Sequence, residues 1–302
     1  MSGKKGMMLL VGDNPFHGIS HLSQERARVR GNEATSPEKA AGLVMTSIEN
    51  GANGFMFSVS DLTLAILRTI REEGKADGLE LHAIVPYAFE YVRVATQTGM
   101  PGLAKRFAKQ IAVSRDIGAI ASGLRAVITA NPGALLRTYL AYEISRIRSA
   151  AKQASLSSVL LHEVVTDMGL ALNLRWLFES YMKFMMRRGI EPGFNTRNLP
   201  YLIRRFKEWD IDLSQTLIAT PFNKVGFQMN PSRNDCERAL ENVPELNVVA
   251  ISILASGYLQ LQEAIDYVAA LPNIKGVSVG VSKEKHAVET FQFLKRKLES
   301  YQ

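Results

Sequence analysis

The chain offers little for covalent cross-linking. Of its 302 residues one is cysteine, Cys236, so no disulfide can form within it. That fits a reducing compartment. No apolar run approaches the roughly 18 residues of a membrane span. The apolar stretch near the N-terminus, MMLLVG, is too short for a secretory signal. The expectation is a soluble cytoplasmic protein. A glycine-rich dinucleotide fingerprint after an early strand is also missing, which weighs against a doubly wound open sheet.

Charge of one sign is scarce in one place only. The formal net charge is +7. Between Thr98 and Lys152 stand nine basic residues, Lys105, Arg106, Lys109, Arg115, Arg125, Arg137, Arg146, Arg148 and Lys152, against two acids, Asp116 and Glu143. The whole excess therefore belongs to one segment, and the rest of the chain is neutral on balance.

What is present is a regular alternation. Short apolar runs at 7–12, 54–59, 79–87, 157–163, 189–195, 215–222, 247–254 and 275–282 read as strands. The fifth is the weakest, because Pro192 removes a ladder donor. Amphipathic helical patterns lie between them. Ser36 followed by Pro37 reads as a helix start, as does Ser60 before DLTLAIL. Eight strands alternating with helices predict one α/β domain, a (β/α)8 TIM barrel over residues 1–302. About 70 residues separate the third strand from the fourth, far more than one loop and one helix need. This long, basic helical insertion, 98–152, is expected to include part of the third barrel helix and to supply a lid, an interface or a membrane contact.

In such a barrel the chemistry sits at the C-terminal ends of the strands. Strand one ends in Asp13, Asn14 and His17, strand two in Ser58 and Ser60, strand three in Tyr87. Strand four ends in His162-Glu163, strand five in Asn195, Thr196 and Arg197, strand six in Asn223 and Lys224. Strand seven runs to Ser256-Gly257-Tyr258 and strand eight to Ser282-Lys283. His162 follows SSVLL and precedes an acid. A polar pair is costly inside a core, so it belongs on the rim. His17 and His21 read either as site residues or as a polar surface pair, His82 as packed within its strand, and His286 as solvated. Imidazole and carboxylate suit zinc, but the spacing of His17, His21, His162 and Glu163 does not favour a metal site. Lys224 is a candidate Schiff-base lysine if desolvated, and otherwise an anion-binding or solvated one. Ser282 lies at a helix start, where it serves as an anion site or as a simple cap.

The segments GFNTRNLPYL, VVAISILASGYL and IKGVSVGVSKEKHAVETFQFL resemble the last strands and loops of aldo-keto reductases. SVLLHE resembles the strand that ends in that family's catalytic histidine, which places His162 in that role. The resemblance implies the barrel fold, and with it a nicotinamide-dependent reductase. The rest of that family's catalytic set is missing. GFMFSVSDLTLAIL has Phe57 and Ser58 where the aspartate belongs and no tyrosine after them, and LHAIVPY ends in no lysine. NAD(P)H is therefore a possible but not a favoured cofactor.

Three functions are compatible with these residues. The first is an enzyme on an anionic or phosphorylated small molecule. His162, Glu163, Asp13, His17 and Lys224 would form the catalytic group. Asn14, Tyr87, Asn195, Arg197, Asn223, Ser256, Ser282 and Lys283 would bind substrate. Proton transfer beside a carbonyl, or carbon–carbon cleavage through Lys224, fits better than metal-assisted hydrolysis. The second is a reductase in which Tyr87 or His162 replaces the missing tyrosine. The third is a non-catalytic barrel that meets a membrane surface through its basic insertion. Nucleic acid is not expected, because aromatic residues do not interleave with the basic ones there. The oligomeric state is left open.

Overall fold

The computed structural model describes residues 7–17, 35–87 and 132–299. His21, Gly18 and the larger part of the basic insertion fall outside the described residues.

All eight expected strands form, and they close into one parallel barrel in sequence order. They are β1 (Met8–Gly12), β2 (Gly54–Ser58), β3 (Glu80–Val85), β4 (Ser155–Leu161), β5 (Glu191–Asn195), β6 (Leu217–Pro221), β7 (Asn247–Ile251) and β8 (Ile274–Gly280). Closure is made by β1 against β8, with Met8 opposite Gly276 and Gly12 opposite Gly280. Among the described residues nine α-helices surround the barrel: α1 (Pro37–Glu49), α2 (Asp61–Glu72), α3 (Pro132–Ala150), α4 (Glu163–Ala171), α5 (Arg175–Met186), α6 (Leu199–Glu208), α7 (Arg233–Glu241), α8 (Leu261–Ala269) and α9 (Glu284–Glu299).

The helix starts follow from local chemistry. Ser36 accepts from the Lys39 amide, and Pro37 fills the first helical position, where no intrahelical donor is needed. Ser60 and Thr63 form a reciprocal capping box. α3 (Pro132–Ala150) is the helix that precedes β4. It packs beside α2, where Arg71 donates to the Ser149 carbonyl at 2.9 Å.

Strand alternation sorts side chains into two cores. One face of the strands meets the helices through Val11, Phe55, Phe57, Leu161, Phe194 and their neighbours. The other face fills the barrel interior with Leu10, Met56, Ile84, Leu160, Leu217, Ala219 and Val249. His82 also points inward. It is buried and bonded to Ser158 Oγ at 2.8 Å, the packed histidine that its strand position predicts.

The weak fifth strand holds despite Pro192. Tyr181 on α5 places its hydroxyl between β4 and β5, where it bonds the Val159 carbonyl and accepts from the Gly193 amide at 3.1 Å. A side chain thus supplies part of the ladder that the proline cannot.

Candidate functional site

The polar groups of the barrel mouth gather on the side of β1 to β5. Leu160 faces the interior, so alternation turns His162 inward as well, and the same holds for Asn195 beyond Gly193. The opposite wall carries Pro221, Ile251, Gly280 and Gly12 at the strand ends. It presents backbone and hydrocarbon, together with the Ser278 hydroxyl beside Gly12. The floor is the apolar interior cluster, which keeps the local dielectric low.

The chain after β1 turns sharply back. Asn14–His17 form a 3-10 turn, closed by the Phe16 amide on the Asp13 carbonyl at 2.9 Å. Pro15 lies so close to Gly280 that a Cβ there would stand 2.6 Å from Pro15 Cδ. Only a residue without a side chain lets the turn pack there. Phe16 is buried against Phe55, with ring centroids 6.3 Å apart. The turn is fixed from below, and Asp13 and His17 stand above it.

Asp13 is buried, and its Oδ2 accepts two hydrogen bonds. One comes from the Ser58 amide at the end of β2, at 2.7 Å, and one from His17 Nε2 at 3.1 Å. A carboxylate oxygen only accepts, so Nε2 of His17 carries the hydrogen and Nδ1 is left as an acceptor when the ring is neutral. The His17 ring stacks on Tyr87, with centroids 5.0 Å apart and planes inclined by 30°. Asp13, His17 and Tyr87 therefore form one packed group across β1, β2 and β3.

His162 is held differently. It is the N-cap of α4, a helix that the sequence reading did not anticipate. Its Nδ1 accepts from the Val164 amide at 3.2 Å. An amide can only donate, so Nδ1 is bare and Nε2 of the neutral ring carries the hydrogen. Burial is the main cause holding its pKa below the ordinary 6.5. Glu163 pulls it upward, Arg197 lowers it, and Asp13 raises it again.

Behind His162 lies a carboxylate–guanidinium cluster. Glu163 is ion-paired to Arg197. One turn along α4, Asp167 accepts from Thr196 Oγ1 at 2.5 Å and from the Arg197 amide at 3.2 Å. Burial pushes the Asp167 carboxyl upward, while its bonds to Thr196 and Arg197 pull it down. Asp167 was missed in the sequence reading. The signal was its spacing of four from Glu163, visible only once EVVTDMGLA is recognised as a helix.

Asn195, at the end of β5, is 6 % exposed. Its side-chain oxygen is buried and has no hydrogen-bond partner among the described residues.

Several other candidates are placed elsewhere or differently occupied. Asn14 is exposed on the outside of its turn. Asn223 is buried, with its amide group committed to the loop that follows β6: Oδ1 accepts from the Phe227 amide at 2.7 Å, and Nδ2 donates to the Phe227 carbonyl at 2.9 Å. It braces the loop and presents no free group to a ligand. Lys224 is exposed and paired with Glu263 at 2.6 Å, so it lacks the desolvation that a Schiff-base lysine requires. Ser256 sits half-buried in a left-handed turn, with φ of 62°. Ser282 is half-buried and Lys283 exposed at the start of α9, where the Lys283 carbonyl accepts from Ala287. His286 is exposed, as expected. No group of three or more His, Cys, Asp or Glu suited to a metal occurs among the described residues. A groove of about 510 Å³ lies outside the barrel between α6 and α7, but its Asp235 and Arg238 pair with each other and it holds none of the groups above. No helix among the described residues is long and apolar enough to cross a membrane.

No protein-family model matches the chain, and no curated protein does so. Solved structures do. A Pseudomonas aeruginosa protein assigned as an aldo-keto reductase superposes with a TM-score of 0.57 at 12 % identity, covering 96 % of this chain and 90 % of that one. Dispersin B superposes with a TM-score of 0.51 at 12 % identity, covering 99 % of this chain and 98 % of that one. Likeness at this level reports architecture and leaves the chemistry to the site. The chain shares with these structures the closed (β/α)8 barrel, an aldo-keto reductase-like fold.

Proposed function

We propose that the protein is an enzyme that moves a proton on the carbon beside a carbonyl group. The single observation behind this reading is the complementary presentation of its two mouth histidines. Both hold the hydrogen on Nε2, but they are tethered at opposite ends. His17 gives its N–H to Asp13 and keeps Nδ1 as a base. His162 ties up Nδ1 on the Val164 amide and keeps an N–H donor.

A carbonyl compound between them has its oxygen on Nε2–H of His162. As the proton leaves the α-carbon for Nδ1 of His17, the electron pair moves onto the carbonyl oxygen. The His162 hydrogen bond then meets the developing negative charge in a poorly hydrated site, where such a bond is most effective. Asp13 faces the imidazolium formed on His17 and offsets its charge. Return of the proton to the same or the neighbouring carbon completes an exchange or an isomerisation. The depressed pKa of His162 keeps it neutral while it donates. The reading does not require an anionic substrate, since Arg197 and Lys224 each face a glutamate. Carbon–carbon cleavage through Lys224 is set aside, because that lysine is exposed and paired.

The test is hydrogen–deuterium exchange. Small ketones, aldehydes and hydroxycarbonyls are incubated with the protein in D2O, and loss of the α-proton signal is followed by NMR. Protein-dependent exchange that disappears in both His17→Asn and His162→Ala supports the proposal. No exchange with any compound, together with carbonyl-dependent oxidation of NADPH, would instead favour the reductase reading.

A further inference from the structure

We infer that the mouth is shaped for an α-hydroxycarbonyl compound, with the carbonyl oxygen on Nε2–H of His162 and the adjacent hydroxyl donating to Oδ1 of Asn195. The inference rests on the reading of His162 given above and adds the substrate class.

The placement comes from the barrel register. Leu161 pairs with Phe194, so the next residues of the two strands, His162 and Asn195, stand side by side. Leu161 and Phe194 face the helices, which turns both His162 and Asn195 toward the mouth. Neighbouring strands run about 5 Å apart, a span that oxygens on adjacent carbons can bridge between two side chains. Asn195 Oδ1 is buried without a donor among the described residues, so no bond closes between it and His162. A buried acceptor left without a donor is unfavourable, and a ligand hydroxyl removes that deficit.

Among the described residues no donor bonds Asn195 Oδ1. On the far side of Asn195, β6 presents Ala219, which pairs with it in register and has no polar group. Thr196 faces away, with its hydroxyl on Asp167. Across the interior, the Ser278 hydroxyl lies beside Gly12, 3.2 Å from where a Cβ would stand, and Asn195 Oδ1 receives no bond from it. One donor and one acceptor therefore stand together on one wall. A simple ketone would meet the donor and leave the acceptor bare. Discrimination between two such ligands follows from that unpaired group.

The test compares hydroxyacetone with acetone by ligand-observed NMR, with nicotinamide as a third probe, on wild type, Asn195→Leu and Asn195→Asp. The expected result is that wild type binds hydroxyacetone at least about tenfold more tightly than acetone, since one missing partner to a buried polar group is worth at least that factor. Asn195→Leu should abolish the preference, and Asn195→Asp, which keeps an acceptor oxygen, should retain it. Equal binding of the two ligands by wild type overturns the inference. So does a preference that survives Asn195→Leu, or nicotinamide binding that depends on Asn195. If Asn195→Leu does not fold, by circular dichroism, Asn195→Ala and the wild-type ratio decide. Exchange in D2O, measured on the same samples, separates the two claims. Preference without exchange overturns the proposed reaction alone, and exchange without preference overturns the hydroxyl contact alone.

Discussion

One backbone bond decides what His162 offers a ligand. By accepting from the Val164 amide, the ring is fixed as a donor at Nε2, and protonation of Nδ1 would break the cap of α4. The depressed pKa has two consequences. The part of any acid-side loss of activity that belongs to His162 should come below pH 6.5, as the ring takes up a second proton. Stability follows the same group. The contribution of neutral His162 is complete above its unfolded value near 6.5 and is lost as the pH falls toward the lower folded value. Urea unfolding from pH 8 to pH 5 should therefore show a decline that His162→Gln flattens. A decline of equal size in the variant would place the titrating group elsewhere. Sequence position alone put His162 on the rim. It did not reveal the cap, because α4 is short and follows directly on an apolar strand.

At the scale of elements, β5 depends on α5. The Tyr181 hydroxyl stands in for ladder bonds that Pro192 cannot make, and burial keeps the phenol protonated by pushing its pKa up. Tyr181→Phe leaves a buried amide and a buried carbonyl without that partner, at a cost of about 1–3 kcal/mol. Chemical denaturation should show this as a lower midpoint with unchanged slope. Because β5 carries Asn195, any activity should fall as well. The loop after β6 shows why side-chain roles there were illegible in the sequence. Asn223 and Lys224 stand at a strand end just as His162 does. Their side chains turn to Phe227 and Glu263, partners set by the loop path and by α8, which no local pattern encodes. The turn after β1 is held by Pro15 against Gly280 and by Phe16 against Phe55.

For the whole molecule, the strand–helix alternation carried the architecture. All eight strands lie within three residues of the ends read from hydrophobic runs, because parallel strands covered on both faces are nearly continuous apolar segments. Closure demands more than alternation. Gly193 leaves space for Leu160, and a Cβ there would stand 2.5 Å from Leu160 Cγ and 2.9 Å from the Leu217 carbonyl oxygen. Gly193→Ala should therefore overpack the interior and destabilise the barrel by about 1–3 kcal/mol. Thermal unfolding checks it, and a melting temperature equal to wild type would mean that the interior yields. The composition of the site was only partly legible at this scale. Asp13, His17, Tyr87, His162, Asn195 and Arg197 came from strand ends. Asp167 came from the second turn of an unrecognised helix.

The most direct measurement is a long-range proton–nitrogen NMR correlation on histidine-labelled protein between pH 5 and 8, with His17→Asn and His162→Gln used to assign the two rings. The expected spectrum shows the hydrogen of each neutral ring on Nε2, and His162 still neutral below pH 6.5. A His162 ring that carries its hydrogen on Nδ1, or that is already charged at pH 7, would contradict the assignment of His162 as the neutral donor and His17 as the base.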